Sequence, residues 1–196
     1  MNPARAAALL NGRAQAFSIG LGGERLTDQD VAHAIGKMWH PGARLYGRVK
    51  WAGQEKYFDE LLELTLGNLL ALQSLDAWSE VQPGELKRVA RLVLTEAIYP
   101  RLCATCHGIG SMMVEKQRGD KRRRRNAQAV LKLVCPDCKG EGSRSYSERT
   151  LAGSAKIGRN RWERVWSKRY HHQIKPIVDK YERLFWQGMK RALRDH

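Results

Sequence analysis

The chain has 196 residues, of which 42% are hydrophobic, and it carries a formal net charge of +15. This length corresponds to one or two domains with a real core, and the hydrophobic content excludes a disordered chain. No segment approaches the roughly 18 to 20 apolar residues that span a bilayer. The opening segment MNPARAAALLNGRAQAF also lacks the apolar run of a secretion signal. We therefore expect a globular cytoplasmic protein without a membrane partner.

The net charge arises entirely in the second half of the chain. Residues 1–100 contain 11 Lys and Arg against 11 Asp and Glu, whereas residues 101–196 contain 24 against 9. Clustered cations raise the affinity for phosphate because binding releases counterions. The imbalance favours a nucleic-acid-binding half attached to a neutral scaffold or partner-binding half. A solvated basic surface is the alternative.

The first half divides into an N-terminal extension, residues 1–25, expected to be flexible, and a predicted helical body, residues 26–100. Thr27 or Asp28 caps a short helix in LTDQDVAHAIGKM. Two amphipathic helices follow, in QEKYFDELLELTLGNLLALQSL and GELKRVARLVLTEAIYPRL, with a turn near Pro83 between them. This body is the part that we expect to contact a protein partner.

The helical body contains no pattern typical of catalysis. Its histidines, His33 and His40, have no carboxylate or nucleophile at a telling spacing. The chain also lacks a phosphate-binding glycine loop, a serine elbow and paired acids. We therefore predict that the protein is not an enzyme and has no small-molecule substrate.

Residues 101–143 contain all four cysteines, in two copies of one pattern. The phrases CATCHGIG, from Cys103, and CPDCKGEG, from Cys135, both follow C-x-x-C-x-G-x-G. The first phrase also spells the haem-attachment motif C-x-x-C-H. A covalent haem needs an exported, oxidising environment and a distal axial ligand. The second copy of the pattern has Lys139 where the first has His107. The repeat therefore preserves the cysteines and glycines and not the histidine.

Zinc fits the doubled motif better than haem does. In a reducing cytoplasm, paired C-x-x-C motifs are more often metal ligands than disulfides. Four thiolates complete a tetrahedral zinc site, and the 28 residues between Cys106 and Cys135 allow the pairs to meet. We predict one Zn²⁺ per chain, with unligated thiols as the alternative. The predicted ligands are Cys103, Cys106, Cys135 and Cys138.

The glycines that follow each cysteine pair have a predicted role in the same site. After each pair the chain must turn tightly so that backbone N–H groups point at the sulfurs. Glycine tolerates the positive φ that such a turn requires. The glycines concerned are Gly108, Gly110, Gly140 and Gly142.

The segment between the cysteine pairs, SMMVEKQRGDKRRRRNAQAVLKLV, consists of two short apolar arms around a basic centre. The arms run from Ser111 to Lys116 and from Ala129 to Val134, which predicts a hairpin or a pair of extended arms. Five consecutive cations repel one another until a polyanion neutralises them, so we expect contact with the phosphates of DNA or RNA. A solvated loop is the alternative. The cations are Lys121, Arg122, Arg123, Arg124 and Arg125.

Residues 144–196 change to a helical period. Ser145 and Glu148 have the spacing of a capping box, which predicts a short helix through about Lys156, and Gly158 then ends it. A longer helix follows. The order of short helix, glycine turn and longer helix resembles a helix-turn-helix.

The longer helix has a clear apolar face. Asn160 and Glu163 repeat the capping spacing at its start, and apolar residues then recur every three or four positions from Trp162 to Phe185. This stripe indicates core packing. Pro176 removes a hydrogen-bond donor and is expected to kink the helix.

Residues outside that stripe, near the start of the longer helix, are the predicted contacts with the major groove of DNA. Arginine and asparagine match base edges, and lysine matches phosphate. An ordinary basic helix on a helical domain is the alternative. The candidate DNA-binding residues are Arg159, Asn160, Arg161, Arg164 and Lys168. The predicted fold is therefore mainly α: a helical bundle body with an inserted zinc-binding hairpin and, in residues 144–196, a C-terminal helix-turn-helix.

This order of parts resembles the late-gene antitermination protein Q of lambdoid phages. The shared features are a D-V-A-x-A-x-G segment from Asp30 to Gly36, helices, C-x-x-C-H-G-x-G, a basic arm, C-x-x-C-K-G-x-G and a C-terminal helix pair. In addition, RWERVWSKRYHHQIKPIVDKY is similar to the Q pattern of a tryptophan, here Trp162 or Trp166, followed by a Lys-Pro-hydrophobic phrase. The resemblance extends from residue 26 to residue 181. The N-terminal extension and the four-arginine run depart from the pattern.

The resemblance implies a transcription regulator that acts in a bacterial cell on behalf of a bacteriophage or prophage. Proteins of the Q family bind a DNA element that overlaps a late promoter and engage RNA polymerase paused with its sigma factor. Bound near the β flap, they narrow or extend the RNA exit channel, which opposes terminator hairpins. The implied partners are double-stranded DNA and the host RNA polymerase.

Two other classes of protein remain open. Chaperones of the DnaJ type also use C-x-x-C-x-G-x-G, and the WHPG phrase at Trp39 is similar to the His-Pro-Asp of their J-domain. Those chaperones have four repeats of the motif, however, and a Gly/Phe-rich linker that this chain lacks. The second alternative is a zinc-containing transcription activator or repressor that binds DNA and does not travel with polymerase.

Overall fold

The structure, a computed structural model, describes residues 28–76, 78–115 and 130–192. The predicted N-terminal extension and the five consecutive cations, residues 121–125, lie outside these ranges. The described chain is mainly helical, which confirms the predicted class. Within the same ranges, no helix is long and apolar enough to cross a bilayer.

The elements follow one another in a simple order. Between residue 28 and the cysteine motif, the described chain forms four helices: α1 (Asp28–Gly36), α2 (Pro41–Lys50), α3 (Phe58–Asp76) and α4 (Pro83–Ile98), with a 3₁₀ turn at Glu55–Tyr57. The cysteine region contributes strands β1 (Ser111–Glu115) and β2 (Val130–Val134), and helix α5 (Glu148–Ser154) follows it. Residues 159–192 then form one continuous helical segment, called the C-terminal helix below. Its parts are α6 (Arg159–Arg161), a π turn (Trp162–Trp166), α7 (Ser167–Arg169), a second π turn (Tyr170–Ile174) and α8 (Lys175–Ala192).

The chain divides into two compact units. The helical unit comprises residues 28–99 and 146–192 of the described chain, and the cysteine unit comprises residues 100–145. The sequence predicts separate domains, 26–100 and 144–196, for the helices before and after the cysteine motif. In the structure both segments belong to the helical unit, because their buried side chains form a shared core.

That shared core is built from apolar side chains on both sides of the cysteine unit in the sequence. Leu61, Leu86 and Leu94 from the first segment are buried with Trp162 and Trp166 from the second. Fully burying a side chain of this size contributes about 1.5–3 kcal/mol. The C-terminal helix is therefore an internal element of the bundle along its apolar face.

Helix α2 was not among the sequence predictions. It begins at Pro41, and the ring nitrogen Nδ1 of His40 accepts a hydrogen bond from the N–H of Ala43 (3.2 Å), which caps the helix. Its two glycines allow α8 to approach closely: a Cβ at Gly47 would lie 2.3 Å from the Phe185 ring. Proline at the first turn and a capping side chain before it were the signals available in the sequence.

The two π turns keep the apolar stripe of the C-terminal helix on one side. Trp162, Trp166, Tyr170, Ile174 and Val178 are all buried, although each is four residues from the next. With 3.6 residues per turn, each four-residue step of an α-helix overshoots by about 40°, so four steps would carry Val178 about 160° around the axis. A π turn holds more residues, since its hydrogen bonds span five positions, and it takes up this drift.

The predicted helix caps in this region were wrong. Helix α5 is capped by Ser147, whose hydroxyl accepts from the N–H of Thr150 (3.3 Å), and not by Ser145. Glu148 instead accepts a hydrogen bond from the indole N–H of Trp162 (2.5 Å). Glu163, the predicted partner of Asn160, pairs with Arg159. The bond from Trp162 therefore occupies Glu148, whereas Glu163 is occupied by a local i,i+4 pair at the surface.

Candidate metal centre and basic surface

The cysteine unit is organised around an antiparallel pair of strands. Ser111 of β1 pairs with Val134 of β2, and Glu115 pairs with Val130, so the strands correspond to the two predicted apolar arms. Cys135 directly follows β2, and the first cysteine motif ends at Gly110, one residue before β1. The strand pair therefore brings the two motifs to the same end of the ladder.

Each motif folds into a tight loop, which we call a knuckle: residues 103–110 form the first and residues 135–142 the second. In the first, the N–H of Ile109 donates to the carbonyl of Cys106 (2.9 Å), and the N–H of Gly110 donates to the Cys106 sulfur (3.2 Å). The second repeats this pattern: Glu141 donates to the Cys138 carbonyl (3.0 Å), and Gly142 to the Cys138 sulfur (3.3 Å). The sequence repeat is therefore a repeat of structure.

The knuckles also bond to each other in a reciprocal way. The N–H of Cys103 donates to the carbonyl of Gly142 (2.9 Å), and the N–H of Cys135 donates to the carbonyl of Gly110 (3.0 Å). A Cβ at Gly110 would lie 2.2 Å from the carbonyl oxygen of Gly140, and Gly110 has φ of +74°. Glycine is therefore required here for two reasons, the positive φ and the close backbone approach.

The four cysteine sulfurs lie together in the interior of the cysteine unit. All lie within 4.8 Å of one another, and every one of the four side chains is buried. The Cys103 and Cys135 sulfurs are 3.9 Å apart, and those of Cys106 and Cys138 are 3.6 Å apart. A zinc–sulfur distance of 2.3 Å in a tetrahedron places sulfurs about 3.8 Å apart. Two of the sulfur pairs therefore have the spacing of a tetrahedral metal site, and the cluster could hold a metal ion, with no disulfide among the four.

Backbone N–H groups tune the protonation of these thiols. The N–H groups of Cys106 and then Thr105 point at the Cys103 sulfur and lower the pKa of that thiol to about 6. The N–H of Cys138 acts in the same direction on Cys135, but burial and the hydrogen bonds with the Cys138 and Cys103 sulfurs outweigh it and raise its pKa to about 11. In both knuckles the backbone N–H groups therefore favour the thiolate, the form that binds cations.

His107 does not belong to the cluster. Its side chain is exposed, and its backbone has φ of +49°, close to the +52° of Lys139 at the equivalent position of the second knuckle. The C-x-x-C-H spelling thus reflects a turn position at which histidine and lysine are equivalent. This geometry, with four sulfurs sharing one centre, fits a metal ion and gives the histidine no axial role.

An exposed polar cluster connects the two knuckles of the cysteine unit. The Asp137 carboxylate accepts hydrogen bonds from the Thr105 hydroxyl and from the Arg144 guanidinium (2.6 Å). These two neighbours, the hydroxyl first, lower the pKa of Asp137 below its ordinary value. Because Thr105 and Asp137 come from different knuckles, this contact adds a second connection between them.

The five predicted DNA contacts at the start of the C-terminal helix differ in burial and in their partners. Arg161 is half-buried: its guanidinium donates two hydrogen bonds to the Glu85 carboxylate (2.5 and 2.8 Å) and one to the Glu80 carbonyl (2.9 Å). Arg159 is exposed and pairs with Glu163 (2.8 Å). The others, Asn160, Arg164 and Lys168, are exposed. Base contact by any of the five remains a prediction.

The Arg161 pair lies against the core. Glu85 is only 5% exposed and also accepts from the indole N–H of Trp166 (3.2 Å). The hydrogen bonds from Arg161 chiefly, together with that from Trp166, outweigh burial and lower the pKa of Glu85. This partner was not predictable from local pattern, since Glu85 lies 76 residues from Arg161 in the chain.

The predicted helix-turn-helix corresponds to helix α5 and the start of the C-terminal helix, and it stays a prediction. Helix α5 is followed by a short connection, residues 155–158, and by the start of the C-terminal helix, for which Gly158 is the N-terminal cap. DNA binding by this pair of helices stays a prediction.

No protein-family model and no curated protein sequence matches the chain.

Proposed function

We propose that this chain is a zinc-binding transcription antitermination factor of the Q type, which binds DNA and then RNA polymerase. The observation that carries the proposal is the four-cysteine centre formed by two equivalent knuckles, joined to a basic helical segment that follows it. Neither feature alone names the function. Their order along the chain is the one on which the resemblance to the Q family rests.

The metal is proposed to be one Zn²⁺ per chain with a structural role. Four cysteine ligands complete its coordination, so the site leaves no open position for a substrate. Bound zinc would supply a cross-link between the knuckles. The chain itself supplies four sulfurs, the N–H donors of Gly110 and Gly142, and the reciprocal backbone bonds that hold both knuckles in place.

Double-stranded DNA is the proposed first partner. The entire net positive charge lies after residue 100, and the C-terminal helix presents exposed Asn160, Arg164 and Lys168. Charge of this kind supports binding to the phosphate backbone through counterion release. The five cations at residues 121–125 are proposed to add phosphate contacts to DNA or RNA.

RNA polymerase is the proposed second partner, and this step is supported by the resemblance alone. The factor would bind beside a late promoter, transfer to polymerase paused with its sigma factor, and remain near the β flap and the RNA exit channel. A factor at this place denies a terminator hairpin the room to form. Binding next to the promoter raises the effective concentration of the factor at the paused enzyme.

A transcription assay with the full chain tests this proposal. The template carries the cognate late promoter and a downstream intrinsic terminator, and the purified chain is added with the host polymerase holoenzyme. We expect read-through to increase only when the DNA site is present in cis. Competitor DNA added before loading should abolish read-through, whereas the same DNA added after loading should leave it largely intact.

The same assay separates the alternatives. More initiation without read-through would support a transcription activator, and read-through independent of the DNA site and of the order of addition would contradict the loading mechanism. A chaperone of the DnaJ type would instead suppress aggregation of an unfolded protein without DNA. We expect no such suppression, because the exposed polar surface of the C-terminal helix suits phosphate and not an unfolded chain.

A further inference from the structure

A basic cleft lies along the C-terminal helix, away from its first turn. The cleft has a volume of about 460 Å³. Its described lining contains three constitutively cationic side chains and one histidine, and no carboxylate. The lining residues are Trp78, Arg164, Val165, Lys168, Arg169, His172 and Gln173.

One cation of the cleft is held in place by the helical unit. The Arg169 guanidinium donates to the carbonyl of Val165 (2.6 Å) and lies 5.8 Å from the ring centroid of Trp78. This distance is within the range of a cation–π contact. Trp78 is buried, so the ring that positions the guanidinium is itself fixed. Arg169 is therefore preorganised at the wall of the cleft.

The other two cations have free charges. Arg164 and Lys168 are exposed, and among the residues that the structure describes neither has a hydrogen bond or an ion pair. The predicted DNA contacts one turn earlier differ in this respect, because Arg159 pairs with Glu163 and Arg161 with Glu85. The cations without a carboxylate partner therefore lie at the cleft, whereas both arginines of the first turn have one.

The π turns explain why these side chains meet. Arg164, Lys168 and His172 are spaced by four residues, and an α-helix would place the first and last about 80° apart around its axis. The turns at Trp162–Trp166 and Tyr170–Ile174 take up that drift for this row as they do for the buried row. The same device that packs the core thus collects the cations in one cleft.

We propose that this cleft binds the phosphodiester backbone of duplex DNA. Arg164, Lys168 and Arg169 supply the charge, and the imidazole of His172 supplies a further hydrogen-bonding group. The C-terminal helix would then meet the DNA backbone with its side, one to two turns beyond its first turn. The proposal rests on DNA binding by the chain, the first step of the proposed function, and it assigns that step to particular residues.

Phosphate contacts position a protein on DNA without reading its sequence. Removing them should therefore weaken binding equally for all sequences and reduce the dependence of binding on salt. Each lost contact reduces the slope of log K against log salt concentration by about 0.9. This signature distinguishes the cleft from a base-reading surface, whose loss relaxes sequence preference.

The experiment uses the full zinc-bound chain and measures binding to fluorescent duplex DNA by anisotropy at several salt concentrations. The test variant is Arg164→Gln/Lys168→Gln, which should reduce the salt slope by about 1.8 for every duplex. The matched control is Lys37→Gln/Lys180→Gln, which removes the same charge outside the cleft. Lys37 is exposed and lines another pocket with His40, and Lys180 acts electrostatically on His40. The conservative variant Arg164→Lys/Lys168→Arg should keep the wild-type slope.

Four results would contradict the proposal. The first two are an unchanged salt slope in the test variant and an equal reduction of the salt slope in the control. The others are a relaxed sequence preference with the salt slope intact, and binding of duplex RNA that is tighter than that of duplex DNA and that the test variant abolishes. Thermal unfolding shows whether the variants keep the fold, since exposed Lys or Arg to Gln changes helix propensity little. If the wild-type chain binds no duplex DNA at low salt, both the DNA-binding step of the proposed function and the cleft proposal are wrong. If the wild-type chain binds and the test variant keeps its salt slope, only the cleft proposal is wrong.

Discussion

In the helical unit the buried side chains are large and apolar, among them Trp162, Trp166, Tyr170 and Phe185. In the cysteine unit the buried cluster consists of the four cysteines, with Met112 packed against it. A segment of this size without an apolar core is stable only with a metal, a disulfide or a partner. We therefore expect the helical unit to be stabilised by apolar packing and the cysteine unit by a bound metal, so that each unit can be destabilised separately.

Removing the metal should have the largest effect. Structural zinc sites contribute about 10–16 kcal/mol of apparent binding energy, and this energy is folding energy. A chelator, or the variant Cys135→Ser, should therefore unfold the cysteine unit and leave the helical unit folded. Amide NMR spectra report the two units separately, and native mass spectrometry gives the zinc stoichiometry.

The control for this prediction is Ala104→Ser, because Ala104 is exposed in the first knuckle and contributes no sulfur. It should keep both zinc and fold. A stoichiometry of zero in the wild type, or a Cys135→Ser chain that retains both metal and structure, would exclude the zinc centre.

Opening a cavity in the helical core should destabilise the helical unit and leave the cysteine unit folded. Trp166 is fully buried, and its replacement by Ala is expected to destabilise the helical unit by about 3–5 kcal/mol, since large cavities are costly. Urea unfolding followed by circular dichroism measures this loss. Zinc stoichiometry should stay at one per chain.

Trp39→Ala is the matched control, because Trp39 is 75% exposed. Its effect should stay within about 0.5 kcal/mol. If Trp166→Ala also released the metal, the two units would depend on each other for folding, which would contradict their separate stabilisation.

The ion pair between Glu85 and Arg161 should give a smaller, pH-dependent effect. Hydrogen bonds to a charged group contribute about 1.5–3 kcal/mol, so Glu85→Gln should destabilise the helical unit by roughly that amount. Because the folded state lowers the pKa of Glu85, the contribution is present above the ordinary pKa of glutamate. It is lost as the pH falls below that value and through the lower folded pKa.

Unfolding experiments from pH 7 down to pH 3 test this dependence on acid. The control is Glu63→Gln, whose partner Lys87 is exposed on the surface, as Glu63 is. That pair should contribute no more than about 1 kcal/mol. Equal losses in the two variants would show that burial adds nothing to the Glu85 pair.

Local patterns predicted much of the cysteine unit. Two copies of C-x-x-C-x-G-x-G contain both the ligands and the glycines that direct N–H groups at them, and the apolar arms beside them predicted β1 and β2. Each of these features depends on residues within a few positions of one another. The sequence for this reason predicted the cysteine cluster without any tertiary information.

Long-range packing decided the rest. The mainly helical class, the apolar stripe of the C-terminal helix and the four-cysteine cluster were predictable from the sequence, because helical period and cysteine spacing are local properties. Tertiary packing was needed to bring Arg161 to Glu85, to join both helical segments in one core, and to place Arg164, Lys168 and Arg169 around one cleft. The physical reason is that burying Trp162 and Trp166 fixes which polar partners are near.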